Sequence, residues 1–266
     1  MKHFLTISTL TAIFLSGASI SAHAQTSAPA SAESGVTVGA AFIIAPEYLG
    51  AKKERFLLAP TISYHNSNGF FAGTREGVGF SGKADQLTFS AAVGYRFGRR
   101  DSDSQGFRRG SDDLRGLGKI EDALTTRLKG SYAFDNGVSV SLSSELALNH
   151  RETGNTWGMG LKVPLLNTKT DQVALNVDAM YGDRKYNQSN FGVTSSQSAN
   201  SGYKAFSAKA GFDQVASSVG WKHTIDKNWS VTTKAGVTQV VGNAADSPIV
   251  KKKTNGILAT SINYAF

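Results

Sequence analysis

Counting back from Phe266, every second side chain is Tyr264, Ile262, Thr260 and Leu258, while Ala265, Asn263, Ser261 and Ala259 between them are small or polar. Side chains on a strand alternate faces with period 2, so this segment has one greasy, aromatic face and one that is not. The same rhythm recurs along the chain. Val36, Val38, Ala40, Phe42 and Ile44 share a face, as do Phe56, Leu58, Pro60, Ile62 and Tyr64. Further runs cover residues 87–97, 124–134, 138–148, 157–165, 173–181, 206–212, 219–225 and 229–237, with a weaker one around Phe70 and Phe71. Segments of about ten alternating residues, separated by turn signals such as Asn66-Ser-Asn-Gly69 and Asp135-Asn-Gly137, are the signature of a membrane-spanning barrel. The expected fold class is all-β, an antiparallel transmembrane β-barrel of 12 strands, with 10 or 14 as the even-numbered alternatives. A soluble β-sandwich also alternates. The barrel is favoured because the aromatics Tyr64, Tyr95, Phe97, Tyr132, Phe134, Trp157, Tyr181, Trp221, Trp229, Tyr264 and Phe266 fall near strand ends, as interface girdles require.

The start of the chain points to export. Lys2 precedes an apolar run from Phe4 to Leu15 and an Ala22-His23-Ala24 triplet, the pattern of a secretory signal peptide cleaved after residue 24. The run is shorter than the roughly 20 residues a spanning helix needs. Residues 25–34 read as a flexible small-residue linker, leaving 35–266 as a single barrel domain. The chain has no cysteine, which removes disulfides and thiolate metal sites. Its net charge of +8 would suit nucleic acid in a cytosolic protein, but export removes that partner. Outer-membrane lipid and anionic lipopolysaccharide suit the charge better, with Lys251-Lys-Lys253 the most concentrated basic patch.

If the apolar faces meet lipid, the opposite faces line a lumen. That inward set holds Arg96, Arg127, Lys129, Lys162, Lys209, Lys222 and Lys234, with only Glu145 and Asp178 as acids. A cation at the lipid-facing midplane costs about 2–4 kcal/mol, so their shared placement on the other face supports the assignment. Small barrels fill their interiors with side chains, and a salt-bridged plug and a narrow anion-favouring lumen both fit the list. Two long connections, 98–121 and 182–202, stand out, and connections of this length are usually functional or disordered. With twelve strands as assigned, parity puts both on the periplasmic side, the side of the N-terminus.

Several stretches resemble one family. Ala244-Ala-Asp-Ser-Pro-Ile-Val250, Pro46-Glu-Tyr-Leu-Gly50, Gly98-Arg99 with Asp101, Leu114-Arg-Gly-Leu-Gly118 with Ile120, Phe191-Gly-Val-Thr194 and Ser201-Gly-Tyr203 are similar to the MipA/OmpV family of outer-membrane proteins, the MltA-interacting proteins. Lys119 and Asn243 depart from the pattern, standing where acids are expected. The resemblance implies a Gram-negative outer-membrane location and a non-enzymatic scaffold joining a lytic transglycosylase to a peptidoglycan synthase. Related members are associated with adhesion and uptake, so a narrow pore, an uptake channel or a surface adhesin is the alternative. Glu47, Tyr48, Arg99, Asp101 and Asp246 become candidate loop or partner residues, with loop folding as the competing role. An enzyme would need a nucleophile and base together. His65, His150 and His223 share no motif with a Ser or Asp, and no spaced ligand set suggests a metal or other cofactor.

Overall fold

The computed structural model describes residues 34–103 and 109–266. The expected signal peptide and all but the last residue of the linker lie outside the described residues. Twelve antiparallel strands close into one barrel: β1 (Gly35–Pro46), β2 (Glu54–His65), β3 (Phe70–Gly73), β4 (Gly77–Ala84), β5 (Leu87–Arg96), β8 (Ala123–Ala133), β9 (Ser139–Ala147), β10 (Thr156–Asn167), β11 (Asp171–Gly182), β12 (Gly211–Thr224), β13 (Trp229–Val240) and β14 (Thr254–Ala265). The two-residue strands β6 (Arg99–Arg100) and β7 (Arg109–Gly110) pair within the connection after β5. Neighbouring strands pair in sequence order, and β1 closes on β14 with Val38 opposite Tyr264 and Ile44 opposite Leu258. Closure leaves no edge running the length of the wall, the condition for a sheet to cross a membrane. No helix among the described residues is long and apolar enough to cross one.

The molecule is inverted relative to a soluble protein. Phe56, Leu58 and Leu142 are each 68 % exposed, while Asn176, Asp178, Gln214, Ser218 and Lys234 are buried. Such a face is stable only against lipid, which costs the apolar groups nothing and leaves the polar set to bond inside. Aromatic rings gather in two belts. Tyr95 with Phe97, and Trp157 with Tyr181 and Phe212, mark one end, while Tyr64 with Phe70, Tyr132 with Phe134 and Trp229 with Tyr264 mark the other.

The total of twelve strands agrees with the sequence reading, but two segment assignments do not, and their errors cancel. The weak run at Phe70 is a hairpin of two strands, β3 and β4. Residues 206–212 are not a strand of the wall: Phe206 forms an isolated bridge with Val193 and packs among loop residues, and β12 begins only at Gly211. The extra strand ahead of Gly98 moves both long connections to the end away from Gly35 and Phe266, correcting the side predicted for them. The end that carries Gly35 and Phe266 has only short turns, between β2 and β3, β4 and β5, β8 and β9, β10 and β11, and β12 and β13.

The β3–β4 hairpin is also short. β2 pairs with β3 only through residues 63–65, so residues 54–61 of β2 pair on the β1 side alone. Ile62 bonds toward the hairpin, where its carbonyl accepts from the Thr74 amide at 2.9 Å. Pro60, two residues earlier, therefore points the place of its missing N–H at the unpaired side, where no ladder bond is lost.

Candidate functional site

The stretches that carry the family resemblance come together at the long-connection end. Four connections, after β1, β5, β11 and β13, fold over the barrel mouth as one cap with two apolar clusters. The first joins Tyr48, Ala51, Leu114, Leu117, Val193 and Ile249. The second joins Phe191, Ala208, Val240 and Ala244, with Leu49 and Val250 against it, and Phe206 touches both. Leu114, Ala51 and Ile249 are wholly buried. Each loop alone is too short to hide its apolar residues, and stacking four of them makes a core.

Local geometry explains the loop sequences. After β1, Gly50 takes φ +94°, and a β-carbon there would lie 3.0 Å from the Val250 side chain. Its carbonyl accepts from the Lys251 and Lys252 amides at 2.8 and 3.0 Å, and its amide donates to Asn255 Oδ1 at 3.1 Å. Asn255 in turn donates to the Ala51 carbonyl at 2.8 Å. The first loop is thereby knitted to the last, which the Tyr48 hydroxyl reinforces by donating to the Ile249 carbonyl at 3.0 Å. In the loop after β5, Asp101 Oδ2 accepts from the amides of Gly116 and Gly118 at 3.2 and 3.1 Å, both glycines having positive φ. The helices α1 (Arg184–Phe191) and α2 (Ser195–Ser201) are capped by Asp183 and by a Thr194–Gln197 capping box. Gln197 also reaches the Leu117 carbonyl at 2.6 Å, tying the third loop to the second.

Of the five candidate partner residues, four serve the cap itself. Tyr48 is 2 % exposed, and burial, helped by the nearby Tyr203 and Asp113, pushes its phenol well above the ordinary range. Glu47 accepts a hydrogen bond from Ser111. Arg99 is buried, donates to the Asn190 carbonyl at 2.8 Å and lies over the Tyr48 ring; burial pulls its guanidinium down to about 10. Asp101 holds the two glycines. Asp246 alone stands exposed, with a loose 3.9 Å contact to Lys253. The departures are local: Lys119 pairs with Glu121 at 2.7 Å, and Asn243 accepts from the Lys209 amide at 2.8 Å. Tyr48, Arg96, Arg99, Tyr186, Asn190 and Phe191 are among the residues that line a pocket at the base of the cap.

The interior holds a charged network. Arg127 Nε donates to Glu145 Oε1 at 2.9 Å, Nη1 to the Arg75 carbonyl at 2.7 Å and Nη2 to the Tyr95 carbonyl at 3.1 Å. A β-carbon on Gly94 would meet Arg127 Nε at 2.7 Å, so the guanidinium crosses β5 only because residue 94 has no side chain. Thr125 donates to Glu145 at 3.0 Å, and Arg96, which donates to Thr153 and the Gly154 carbonyl, lies 3.9 Å from the other carboxylate oxygen. Asp178, facing inward on β11, feels the charges of Lys234 and Lys129. Lys162 shares the inward face of β10, opposite Asn176. Lys222 keeps inward parity on β12 but is exposed near the short-turn rim. Lys209 is a correction: it lies ahead of β12 in the connection, exposed, because the strand it was assigned to is part of the cap. His65, the last residue of β2, lies 3.7 Å from Glu76 in the turn between β3 and β4. His223 stays on the outward face, bonded to Asp171 at 2.8 Å. Among the described residues no group of His, Asp and Glu side chains suits a metal.

A family model described as MltA-interacting protein MipA matches residues 38–266. No curated protein matches the chain. Among solved structures, the KdgM porin is similar over 86 % of this chain and 99 % of its own, at 12 % identity and a TM-score of 0.44. The NanC porin is similar over 86 % and 98 %, at 9 % identity and a TM-score of 0.45. Superpositions this loose carry no function across. The family match takes in nearly all of the wall and every loop of the cap, and the chain belongs to the MipA family of MltA-interacting proteins.

Proposed function

We propose that this chain is a non-enzymatic outer-membrane barrel that docks a cell-wall enzyme of the lytic transglycosylase class and, through it, a peptidoglycan synthase. The observation that carries the reading is the cap: a mouth covered by loops with their own apolar core suits a fixed platform better than a pore for bulk solutes. The family's name supplies the class of enzyme. Barrels of this kind keep short turns toward the periplasm, so the docking face is the short-turn rim, where Lys83, Asp85, Lys169 and Lys227 are exposed. The capped end then faces outward, where Lys52, Lys53 and Lys251–Lys253 meet anionic lipopolysaccharide. Co-purification with an MltA-class transglycosylase tests this. Charge reversal at Lys83, Lys169 and Lys227 weakens capture at least tenfold, whereas shortening the 98–122 loop leaves it intact. Capture that survives the reversal, or that is lost with the loop while the barrel stays folded, refutes the reading.

A second reading rests on the excess of cations over acids inside. If the lumen conducts, it passes anions in preference to cations. Planar-bilayer recordings without measurable current, with the cap both intact and loosened, would remove it.

A further inference from the structure

The pocket at the base of the cap is lined by two buried arginines that its acids do not balance. Arg96 and Arg99 are 7 % and 8 % exposed, and neither Arg96 Nη1 nor Arg99 Nε has a hydrogen-bond partner. Glu145 Oε2 lies 3.9 Å from Arg96 Nη1, beyond hydrogen-bond range, and Oε1 is already held by Thr125 and Arg127. Glu121, also on the lining, pairs with Lys119 at 2.7 Å. Asp101 acts on Arg99 from a distance, while its Oδ2 holds the Gly116 and Gly118 amides. Among the described residues no carboxylate forms an ion pair with Arg99.

An arginine cannot remove this excess by losing its proton. Burial lowers Arg99 to about 10, which leaves it charged at neutral pH. Carbonyls relieve part of the cost, that of Asn190 for Arg99 and that of Gly154 for Arg96. Aromatic faces relieve more: Arg99 Cζ lies 6.0 Å from the centre of the Tyr48 ring, and Arg96 Cζ 5.5 Å from that of Tyr186. None of these supplies a full negative charge. Water in the pocket would satisfy the N–H groups and still leave the charge unbalanced.

Size and shape narrow the class of anion. The cavity holds about 30 Å³, room for a group of two or three heavy atoms when one water needs about 10–15 Å³. A carboxylate fits, whereas a whole phosphate or sulfate, with five heavy atoms, does not. Guanidinium groups are planar forks that match a carboxylate at two points. Tyr48, Phe97, Tyr186 and Phe191 offer apolar walls to a short chain that carries it. We propose that this pocket binds the carboxylate of a small organic acid against Arg96 and Arg99. The lining draws on the connections after β1, β5 and β11, so an occupant holds the cap closed, whether or not an enzyme docks at the opposite rim.

The test uses the folded full-length barrel in detergent, in sulfate buffer of constant ionic strength without other carboxylates. Saturation-transfer NMR on the acetate methyl group reads binding directly. A ligand of four heavy atoms binds weakly, with a dissociation constant on the order of 1 mM. Acetate at 10 mM then slows proteolysis of the cap about tenfold, while chloride at the same concentration changes it less than about twofold. Arg99→Lys keeps the charge but loses the fork, and weakens acetate binding at least about fivefold. Arg99→Met removes the buried charge and abolishes the acetate signal while the barrel still unfolds at the parent's temperature. Absence of acetate binding and protection in the parent overturns the proposal, because water alone then fills the pocket. Equal protection by chloride overturns the carboxylate assignment, since any small anion then suffices. Unchanged acetate responses in both Arg99 variants overturn it too, because the acid then binds elsewhere.

Discussion

Leu114→Ala probes whether the cap is a folding unit distinct from the wall. Leu114 is wholly buried between Tyr48, Leu117, Val193 and Ile249 and touches no strand of the barrel wall in that cluster. Truncating a buried leucine to alanine costs about 2–5 kcal/mol, from lost burial and from the cavity left behind. At 1.4 kcal/mol per decade, the open cap becomes roughly 30-fold to several-thousand-fold more populated. The wall should not notice, because its strands are held by ladder bonds and lipid. Two measurements separate the units: limited proteolysis of the cap loops, and the heat needed to unfold the barrel on a semi-denaturing gel. Cap cleavage rises at least 30-fold at unchanged barrel melting, and planar-bilayer current appears if the lumen conducts. If barrel melting falls in step with cap cleavage, or if cleavage is unchanged, the cap is not an independent core and the reasoning fails.

Three further outcomes follow from named contacts. Asp101→Asn weakens the carboxylate bonds to the Gly116 and Gly118 amides by about 1 kcal/mol, so hydrogen exchange at those two amides quickens several-fold while Asn255 contacts stay protected. Glu145→Gln removes the acid between Arg127 and Arg96; its side chain is 20 % exposed, so about 1–3 kcal/mol of barrel stability is lost rather than the full buried-pair penalty, and anion preference rises in any residual current. Tyr48 keeps its proton in the folded cap above its ordinary value of 10.0, so the unfolded form releases protons first. The stability of the cap therefore holds below pH 10 and declines above it; absorbance at the phenolate band shows tyrosine titrating late, with Tyr203 also raised by its burial, and Tyr48→Phe removes the latest part of that step.

How much the chain disclosed depended on contrast between faces. Wherever one face was apolar and the other carried serine, threonine or charge, as in 138–148, strand and facing were both legible. The β3–β4 hairpin hid because its inward positions, Phe71, Gly77 and Gly79, are aromatic or bare, so the alternation has nothing polar to alternate with. At 206–212 the opposite happened: Phe206 and Ala208 mimic a lipid-facing strand, but both turn into the apolar core of the cap. The two errors left the strand total intact and reversed the side of the loops, because parity depends on where a strand is counted. Most lumen charges were legible for the same reason as the strands. Asp213, buried at the β-bulge that opens β12, was not, since the bulge shifts parity at that residue and no periodic pattern marks one. The role of Tyr48 and Arg99 in the cap was hidden because the loops that enclose them are separated by long stretches of chain.

The pairing of β1 with β14 has a kinetic consequence. Every other seam in the wall joins strands close along the chain and can form as a local hairpin, but Val38 must wait for Tyr264. Until then the growing sheet has two bare edges, each a template for another chain. Loop closure over so long a separation is the slow step in forming non-local sheets. The last strand is thus both the final structural element and the one that ends the interval of vulnerability, and assembly factors that hold an open sheet would have to bind before β14 docks.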